Sequence, residues 1–436
     1  MSETGVAVIG FGTVGCGVVR LLLEDGPRLA EATGCRLVLR HVCDVDLERP
    51  RPVSVPKKLL TDQVDRIIND PAVSIVVETV GGTTFAVDLM KRLLAAGKDV
   101  VTANKAALAN CGPELFEAAR KAGRSISFEA SVAAGIPIIR ALRDGLVANR
   151  ITALTGILNG TCNYILTQMS STGAAYATAL SEAQAKGYAE ADPAMDVSGE
   201  DTRHKLIILA GMAFGASVNV DDIYLEGIAG IDPTDITYGT RLGYTLKLLA
   251  VARIVDGAMS LRVHPTFVPA SSPLATVSGV DNAVLVTGHA VGDTFYVGPG
   301  AGMMPTASSI VADIIDAAIG RAQITANRMS WLAGRRIAMP VQPMQEIRSR
   351  YYLRFVVADQ PGVLASVAGI LGCNHISVAS VLQYESENPQ GVPLVITTHM
   401  AREGNLSAAM DEIRRLPTVT GQSARIRMLA TREESA

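Results

Sequence analysis

Over the first 130 residues, short β-branched runs alternate with longer stretches in which Ala and Leu recur at helical spacing. The runs predict strands at Val6–Ile9, Leu37–Cys43, Ser74–Glu78, Asp99–Thr102 and Ile126–Phe128, and helices at Gly12–Glu24, Thr84–Ala96 and Gly112–Lys121. Such alternation implies right-handed βαβ crossovers and a parallel sheet covered on both faces. From 131 to 330 the pattern is mixed, with glycine-rich turns and longer helices predicted at Asp201–Phe214 and Leu242–Val255. Met339-Pro340-Val341-Gln342-Pro343 reads as a linker, because proline resists helix continuation and stiffens extended chain. The remainder predicts a separate small unit: strand Leu353–Ala358, helix Gly362–Leu371, strands Ile376–Tyr384 and Val392–Met400, helix Leu406–Leu416 and strand Ala424–Leu429. That order, β-α-β-β-α-β, is ferredoxin-like.

Composition narrows the function classes. The 436 residues carry 39 basic and 42 acidic side chains, a formal charge of −3. A broadly cationic nucleic-acid surface is excluded, since such binding rests on phosphate neutralisation. Mean hydropathy is mildly positive, but the best uncharged run, Leu206–Val220, falls short of the ~20 residues of a span and contains Gly211, Gly215 and Asn219. No membrane span or signal peptide is expected. Six cysteines (16, 35, 43, 111, 162, 373) include no C-x-x-C pair, so neither a disulfide framework nor a zinc site is suggested, and a cytoplasmic location is expected.

Candidate chemistry begins at Gly10-Phe11-Gly12-Thr13-Val14-Gly15, which follows the first strand and opens a helix. The first glycine permits a tight turn, the second lets backbone approach a pyrophosphate, and the third allows close helix–strand packing. The helix N-terminus adds unpaired N–H groups, so a dinucleotide cofactor is expected. Asp44, ending the second strand, is placed to accept from the adenosine ribose hydroxyls and to repel a 2′-phosphate. That favours NAD over NADP, although Arg40 or Arg49 could receive a phosphate.

Polar groups otherwise collect in two places. Thr102-Ala103-Asn104-Lys105 follows a strand, and ligands in parallel sheets sit beyond the strands' carboxyl ends, so Lys105 is expected at the cofactor cleft. Read alone, it is an ordinary exposed lysine. The segment Gly187-Tyr188-Ala189-Glu190-Ala191-Asp192-Pro193 continues through Asp196 to Asp201-Thr202-Arg203-His204-Lys205. Asp201 and Lys205, four apart, share a helix face. They make either a surface ion pair on a core helix or a catalytic pair. Hydride removal from an alcohol needs a group to take the hydroxyl proton, and a lysine shifted by a second lysine and by burial can do so near neutral pH. The nearby acids suit a substrate that carries an amino group.

The stretches GFGTVGCG, TANKA, EASVAAGIPII, ILNGTCNYIL, GYAEADPAMDVSGEDTRHKLIIL and GPGAGMMPTASSIVADI closely resemble homoserine dehydrogenases, over essentially the whole chain. The resemblance implies an α/β architecture in three parts. A Rossmann-type NAD(P)-binding domain spans 1–130. An α+β substrate and dimerisation domain spans 131–335, with the chain returning to the first domain near 303–335. A ferredoxin-like ACT domain spans 350–430. It implies reversible NAD- or NADP-dependent interconversion of L-homoserine and L-aspartate 4-semialdehyde, in threonine, methionine and isoleucine synthesis. Lys205 would exchange a proton with the substrate oxygen, Asp201 would orient it, and Lys105 would line cofactor and substrate. Glu190 would bind the substrate amino group, with Asp196 and Tyr188 in the pocket. Gly10, Phe11, Gly12, Thr13, Val14, Gly15, Asp44, Gly187 and Gly302 fall at cofactor positions. A structural sodium ion would be held mainly by carbonyls at Glu129, Val132, Ala134 and Ile136, in a loop that composition alone reads as a strand-to-helix turn.

Asp359-Gln360-Pro361-Gly362, with Asn374-His375-Ile376-Ser377, looks like an ACT domain. The resemblance implies threonine as effector near Asp359, Gly362 and Asn374, and a homodimer or homotetramer; a purely dimerising module is the other reading. Two further readings stay open. One is a cysteine-dependent aldehyde dehydrogenase using Cys111 or Cys162. The other is an NAD- and amino-acid-sensing protein without turnover, against which the Asp201/Lys205 pair argues.

Overall fold

The structure is a computed structural model describing residues 2–326, 328, 331–332, 334–335, 337–384 and 391–430. Positions 327, 329, 330 and 333 of the expected 303–335 return lie outside the described residues. The chain divides into two interleaved units: Met1–Gly160, Asp201–Ile223 and Asp281–Met339 form the first, and Thr161–Glu200, Tyr224–Val280 and Pro340–Ala436 the second. In chain order the first six strands are β1 (Ser2–Ile9), β2 (Cys35–Cys43), β3 (Leu60–Thr61), β4 (Ile75–Glu78), β5 (Asp99–Thr102) and β6 (Ile126–Ser127). Next come β7 (Ile151–Ile157), β8 (Tyr224–Leu225), β9 (Tyr244–Val255), β10 (Ala258–Pro269), β11 (Asp281–Gly288) and β12 (Gly292–Pro299). The last five are β13 (Arg348–Val357), β14 (Val378–Gln383), β15 (Val392–Thr398), β16 (Ala401–Arg402) and β17 (Ala424–Met428).

In the first unit, β1–β6 form one parallel sheet in the order β3-β2-β1-β4-β5-β6. The strand order reverses between β1 and β4, and such a switch point opens a crevice at the strands' carboxyl ends. Burial on both faces explains the unbroken apolar runs: Val6, Val8, Val77 and Val101 join Val18, Val19 and Leu22 of helix Thr13–Glu24 in one core. Ile310, Val311 and Ile314 complete it from helix Met303–Ala318, which thus packs onto the sheet far from it in sequence. Each such side chain contributes about 1.5–3 kcal/mol on burial. A Cβ at Gly17 would lie 2.7 Å from the Met303 carbonyl oxygen, so the two helices touch backbone to backbone there. In this unit β7, β11 and β12 pair antiparallel.

The second unit holds the β9–β10 hairpin, a twelve-residue antiparallel ladder. The helix predicted at Leu242–Val255 is therefore β9. Its Leu246–Ala252 stretch is buried without interruption. A run buried on both faces carries no period that separates strand from helix, and pairing with β10 overrides the helix-favouring Leu and Ala. The C-terminal strands run β17-β13-β15-β14, all antiparallel, with helices Val363–Cys373 and Glu403–Arg414. This is the expected β-α-β-β-α-β order. It has its own core, in which Tyr351, Leu353 and Phe355 pack with Val367, Leu406 and Ile413, and β17 also pairs parallel with β10 through Thr266↔Arg427 and Phe267↔Met428. The predicted linker is also stitched down: Pro340 O accepts from Met259 N at 2.8 Å, and Gln342 N donates to Met259 O. The buried carboxylate of Asp235 binds Arg354 of β13 through both oxygens, at 2.6 and 2.9 Å, and accepts from Tyr352 Oη. Among the described residues no helix is long and apolar enough to cross a membrane.

Candidate functional site

The glycine-rich turn occupies the crevice as its chemistry requires. Gly10 has φ +97°, and a Cβ there would lie 2.7 Å from the backbone of Thr79, in the turn after β4. A Cβ at Gly15 would overlap the Gly10 carbonyl at 1.9 Å, whereas one at Gly12 meets no protein atom within 4 Å. The open space sits at the start of helix Thr13–Glu24, whose first turn has no side-chain cap and no acid. Uncapped N–H groups facing open space form an anion cradle, which fits a pyrophosphate. Thr13 is exposed and Val14 partly so, but the Phe11 side chain is buried in the core, leaving its backbone at the turn. Gly302, at φ +123°, heads helix Met303–Ala318 against the same first helix.

Asp44 does not point away as a bare carboxylate. Its Oδ2 accepts from Phe11 N at 2.6 Å, its Oδ1 from Asp46 N at 3.0 Å, and the Arg51 guanidinium lies 3.5 Å away. Arg51 also covers the Phe11 ring at 5.4 Å. Of the arginines named from the sequence, Arg40 pairs with Glu3 at 2.6 Å. Arg51 carries no motif signal; only the fold of the loop after β2 brings it here.

Lys105 opens helix Lys105–Lys121, which runs through Pro113 and so begins earlier than the predicted Gly112. Asn104 caps it by accepting from Ala107 N at 3.0 Å, and donates to the Gly82 carbonyl. Glu78, fully buried at the end of β4, accepts from Thr102 Oγ1 and from the N–H groups of Val80 and Gly81. Two turns bordering the crevice are thus tied together by groups that the sequence pattern leaves unremarked.

The Asp201 carboxylate joins the two lysines. Lys205 Nζ lies 2.8 Å from Oδ2, Lys105 Nζ lies 2.9 Å from Oδ1, and Asn159 Nδ2 donates to Oδ2 at 2.9 Å. Lys205 Nζ also donates to the Leu158 carbonyl at 2.6 Å. Burial alone would raise the Asp201 carboxyl. Lys205 and Lys105, with hydrogen bonds from Lys205 and Asn159, overcome it and hold the group well below the usual carboxylate range. The two ammonium groups therefore share a carboxylate instead of facing each other bare. Asn159 lies within the quoted ILNGTCNYIL motif, but only its contact with Asp201 reveals its place.

Gly187, Tyr188, Glu190 and Asp196 belong to the second unit and are described there. Thr161 Oγ1 donates to the Tyr188 carbonyl at 2.7 Å, and the Tyr188 ring stacks obliquely 4.9 Å from Tyr164. Gly187 and Glu190 are exposed and Asp196 is half-buried. Cys162 is fully buried, with Sγ donating to the Asp196 carbonyl at 3.2 Å. In the same unit Lys247 is buried against Asn163 Oδ1 and the Val277 carbonyl, and burial pushes its pKa down to about 8.

The EASVAAGIP loop is buried in the first unit, with Val132, Ala134 and Ile136 at 0, 5 and 2 % exposure. Ala133 holds φ +47°, Ala134 O accepts from Ser309 Oγ, and Ala134 N donates to Gly300 O. Gly300 lies against the Asn282 side chain, whose buried Oδ1 has no hydrogen-bond partner among the described residues. Glu129 directs both carboxylate oxygens to backbone N–H groups of Ile139 and Arg140, at 2.8 Å each. In the C-terminal strands, Asp359 and Gly362 are exposed. Asn374 ends helix Val363–Cys373 and donates to Ile370 O and to Glu412.

Residues 10–129 match a family model described as "Homoserine dehydrogenase, NAD binding domain", 137–315 one described as "Homoserine dehydrogenase", and 351–418 the "ACT domain". Homoserine dehydrogenase of Pseudomonas aeruginosa is 42% identical over 98% of this chain and 99% of its own, and that of Mycobacterium tuberculosis 41% over 98% of each. The crystal structure of a homoserine dehydrogenase from Thiobacillus denitrificans superposes with a TM-score of 0.90 at 40% identity, covering 98% of both chains. A hyperthermophilic archaeal homoserine dehydrogenase in complex with NADPH gives 0.61 at 26% identity, covering 73% of this chain and 98% of that one. With a glycine turn built for a dinucleotide and similarity along its whole length, the chain belongs to the homoserine dehydrogenase family of NAD(P)-dependent oxidoreductases acting on a CH–OH group.

Proposed function

We propose that the chain interconverts L-homoserine and L-aspartate 4-semialdehyde, with Lys205 exchanging the proton of the substrate oxygen. One observation carries this role. A lysine ammonium has three N–H donors, and the Lys205 contacts engage two of them, on Leu158 O and Asp201. The third remains to donate to a developing alkoxide or, once the lysine is deprotonated, to leave a lone pair for a hydroxyl proton. Asp201, fixed by Asn159 and Lys105, orients the donor. Lys105, more exposed at the carboxyl end of β5, lines the same pocket. The uncapped turn at Gly12 would hold the pyrophosphate; when bound, the nicotinamide dinucleotide supplies the hydride acceptor or donor. Asp44 supports NAD, whereas Arg51 beside it would meet a 2′-phosphate, so both cofactors are assayed. Glu190, with Asp196 and Tyr188, is assigned to the substrate amino group.

The buried carbonyls at Glu129, Val132, Ala134 and Ile136 suit a sodium ion, a hard cation that prefers oxygen donors, and the orphaned Asn282 Oδ1 beside Gly300 fits an ordered ion or water there. The exposed turn at Asp359 and Gly362, with Asn374, is assigned to an amino-acid effector, threonine, and the molecule to a homodimer or homotetramer. The test is steady-state oxidation of L-homoserine with NAD and NADP in parallel, with and without threonine. In Lys205→Ala, cofactor binding by calorimetry should be unchanged while turnover falls by about 10²–10⁴. Turnover near the wild-type level would remove the role given to Lys205.

A further inference from the structure

Within the second unit, one face of β9, β10 and β17 lines a cavity of about 430 Å³ that shares no residue with the lysine–aspartate site. Along β10, Leu261, Val263 and Phe267 turn into the core, while Ser260, Arg262, His264 and Thr266 share the opposite face and line the cavity. Arg253 of β9, Arg427 of β17 and, at the rim, Arg348 and Arg402 add four more guanidinium groups.

The acids nearby do not balance this charge at its centre. Glu403 is engaged by Arg425 and Arg427, Glu226 by Arg427, and Glu346 by Arg402 at 3.5 Å; Asp256 lies in the exposed turn after β9. Among the described residues no carboxylate lies within ion-pair distance of Arg262. Its Nη1 donates to Ser260 Oγ at 2.6 Å, but its buried Nε has no partner among the described residues. His264, 2 % exposed, directs Nδ1 to Thr266 and Pro265 and likewise leaves Nε2 buried and unpartnered. A buried donor left unmade costs about 1–3 kcal/mol, more when charged. Burial, with Arg253 and Arg427 alongside, pushes the Arg262 guanidinium down to about 9, far from where arginine ordinarily sits. An anion in the cavity would relieve all of this together.

We propose that the cavity binds a small organic anion, with a carboxylate or phosphate head on Arg262 and an apolar portion against Val255 and Leu429. A guanidinium offers parallel N–H donors that match either oxyanion. The site spans the strand pair that joins the C-terminal strands to the β9–β10 hairpin, so an anion there would tighten that junction.

The test is isothermal calorimetry on the full chain with NAD at saturation, which keeps the glycine turn filled. Constant ionic strength is maintained with chloride. Inorganic phosphate and isobutyrate are titrated separately and identify the head group. At least one should bind with a Kd of 1 mM or below, and binding should weaken at least tenfold in Arg262→Met. Val255→Glu, at a position 38 % exposed, places an acid in the cavity without disturbing the core and should weaken binding as much. Lys205→Ala should bind the anion as the wild type does. Failure of homoserine oxidation would leave this result untouched, since no turnover is read. Binding of neither anion, or equal binding by wild type and both cavity variants, overturns the proposal.

Discussion

Replacing Asp201 by Asn isolates the charge at the centre of the site with almost no change in shape. The carboxylate meets Lys205 at 2.8 Å and Lys105 at 2.9 Å, with side-chain exposures of 9 % for Asp201, 12 % for Lys205 and 39 % for Lys105. A close pair is worth about 4 kcal/mol gross at an effective dielectric of 20. The Lys105 contact is discounted to about 1 kcal/mol or less, because water screens an amine so exposed. Against the Lys205 contact stands a desolvation cost of several kcal/mol, so the native pair adds little net. Breaking it is different, since a mostly buried ammonium then faces neutral acceptors alone, the amide oxygen and the Leu158 carbonyl, with no anion to offset its charge. The expected loss is about 3 kcal/mol, the low end for a broken buried pair. Urea unfolding at pH 7 measures it.

The pH profile adds a second check. The folded Asp201 pKa is depressed, so its stabilisation is present above the unfolded value of about 3.9 and is lost as pH falls below it. The gap between wild type and variant should be flat from pH 5 to 7 and close under acid. Equal stability at pH 7, or a gap that widens on acidification, would refute the reasoning.

Other predictions concern the frame around the site. Gly10→Ala forces a left-handed residue against the Thr79 backbone; about 1–3 kcal/mol of strain plus the overlap should lower the thermal midpoint and weaken dinucleotide binding measured by calorimetry. Arg354→Met leaves Asp235, 2 % exposed, without its bidentate partner, and should cost about 3–5 kcal/mol in urea unfolding, with a smaller cost in the double variant that also carries Asp235→Leu. Lys247, held near 8, binds fewer protons folded than unfolded between pH 8 and about 10.4. The stability of wild type relative to Lys247→Met should therefore rise across that window, by at most about 3 kcal/mol, and a fall would contradict the burial argument.

Five strands of the parallel sheet were legible as apolar runs flanked by helix-period segments, the two-residue β3 was not, and the glycine turn was legible because a Cβ at Gly10 or Gly15 would overlap backbone. β9 was not legible: Leu246–Ala252 is buried throughout and apolar but for Lys247, and its strand state comes from β10, which a local window does not see. At the site, Lys205 and Asp201 were readable from their four-residue spacing. Lys105 was readable only as the residue after a strand. Asn159, Glu78 and Arg51 were silent, because their roles rest on contacts between distant segments and their types are common on any surface. The cavity-facing side of β10 was equally hidden, since Ser260, Arg262, His264 and Thr266 alternate with core residues and read as an ordinary half-exposed strand.

The pairing of β10 with β17 also sets an order of events during synthesis. β8 covers the outer edge of β10 at Arg262 and Val263, but Thr266 and Phe267 leave the ribosome unpaired on that edge, and the strand that covers them begins only at Ala424. At about 5–20 residues per second, that edge waits on the order of ten seconds. Through this interval Thr266 and Phe267 offer unpaired backbone to any neighbouring chain, the condition under which edge strands aggregate. Expression yield should therefore be more sensitive to truncation before β17 than to loss of the residues beyond it.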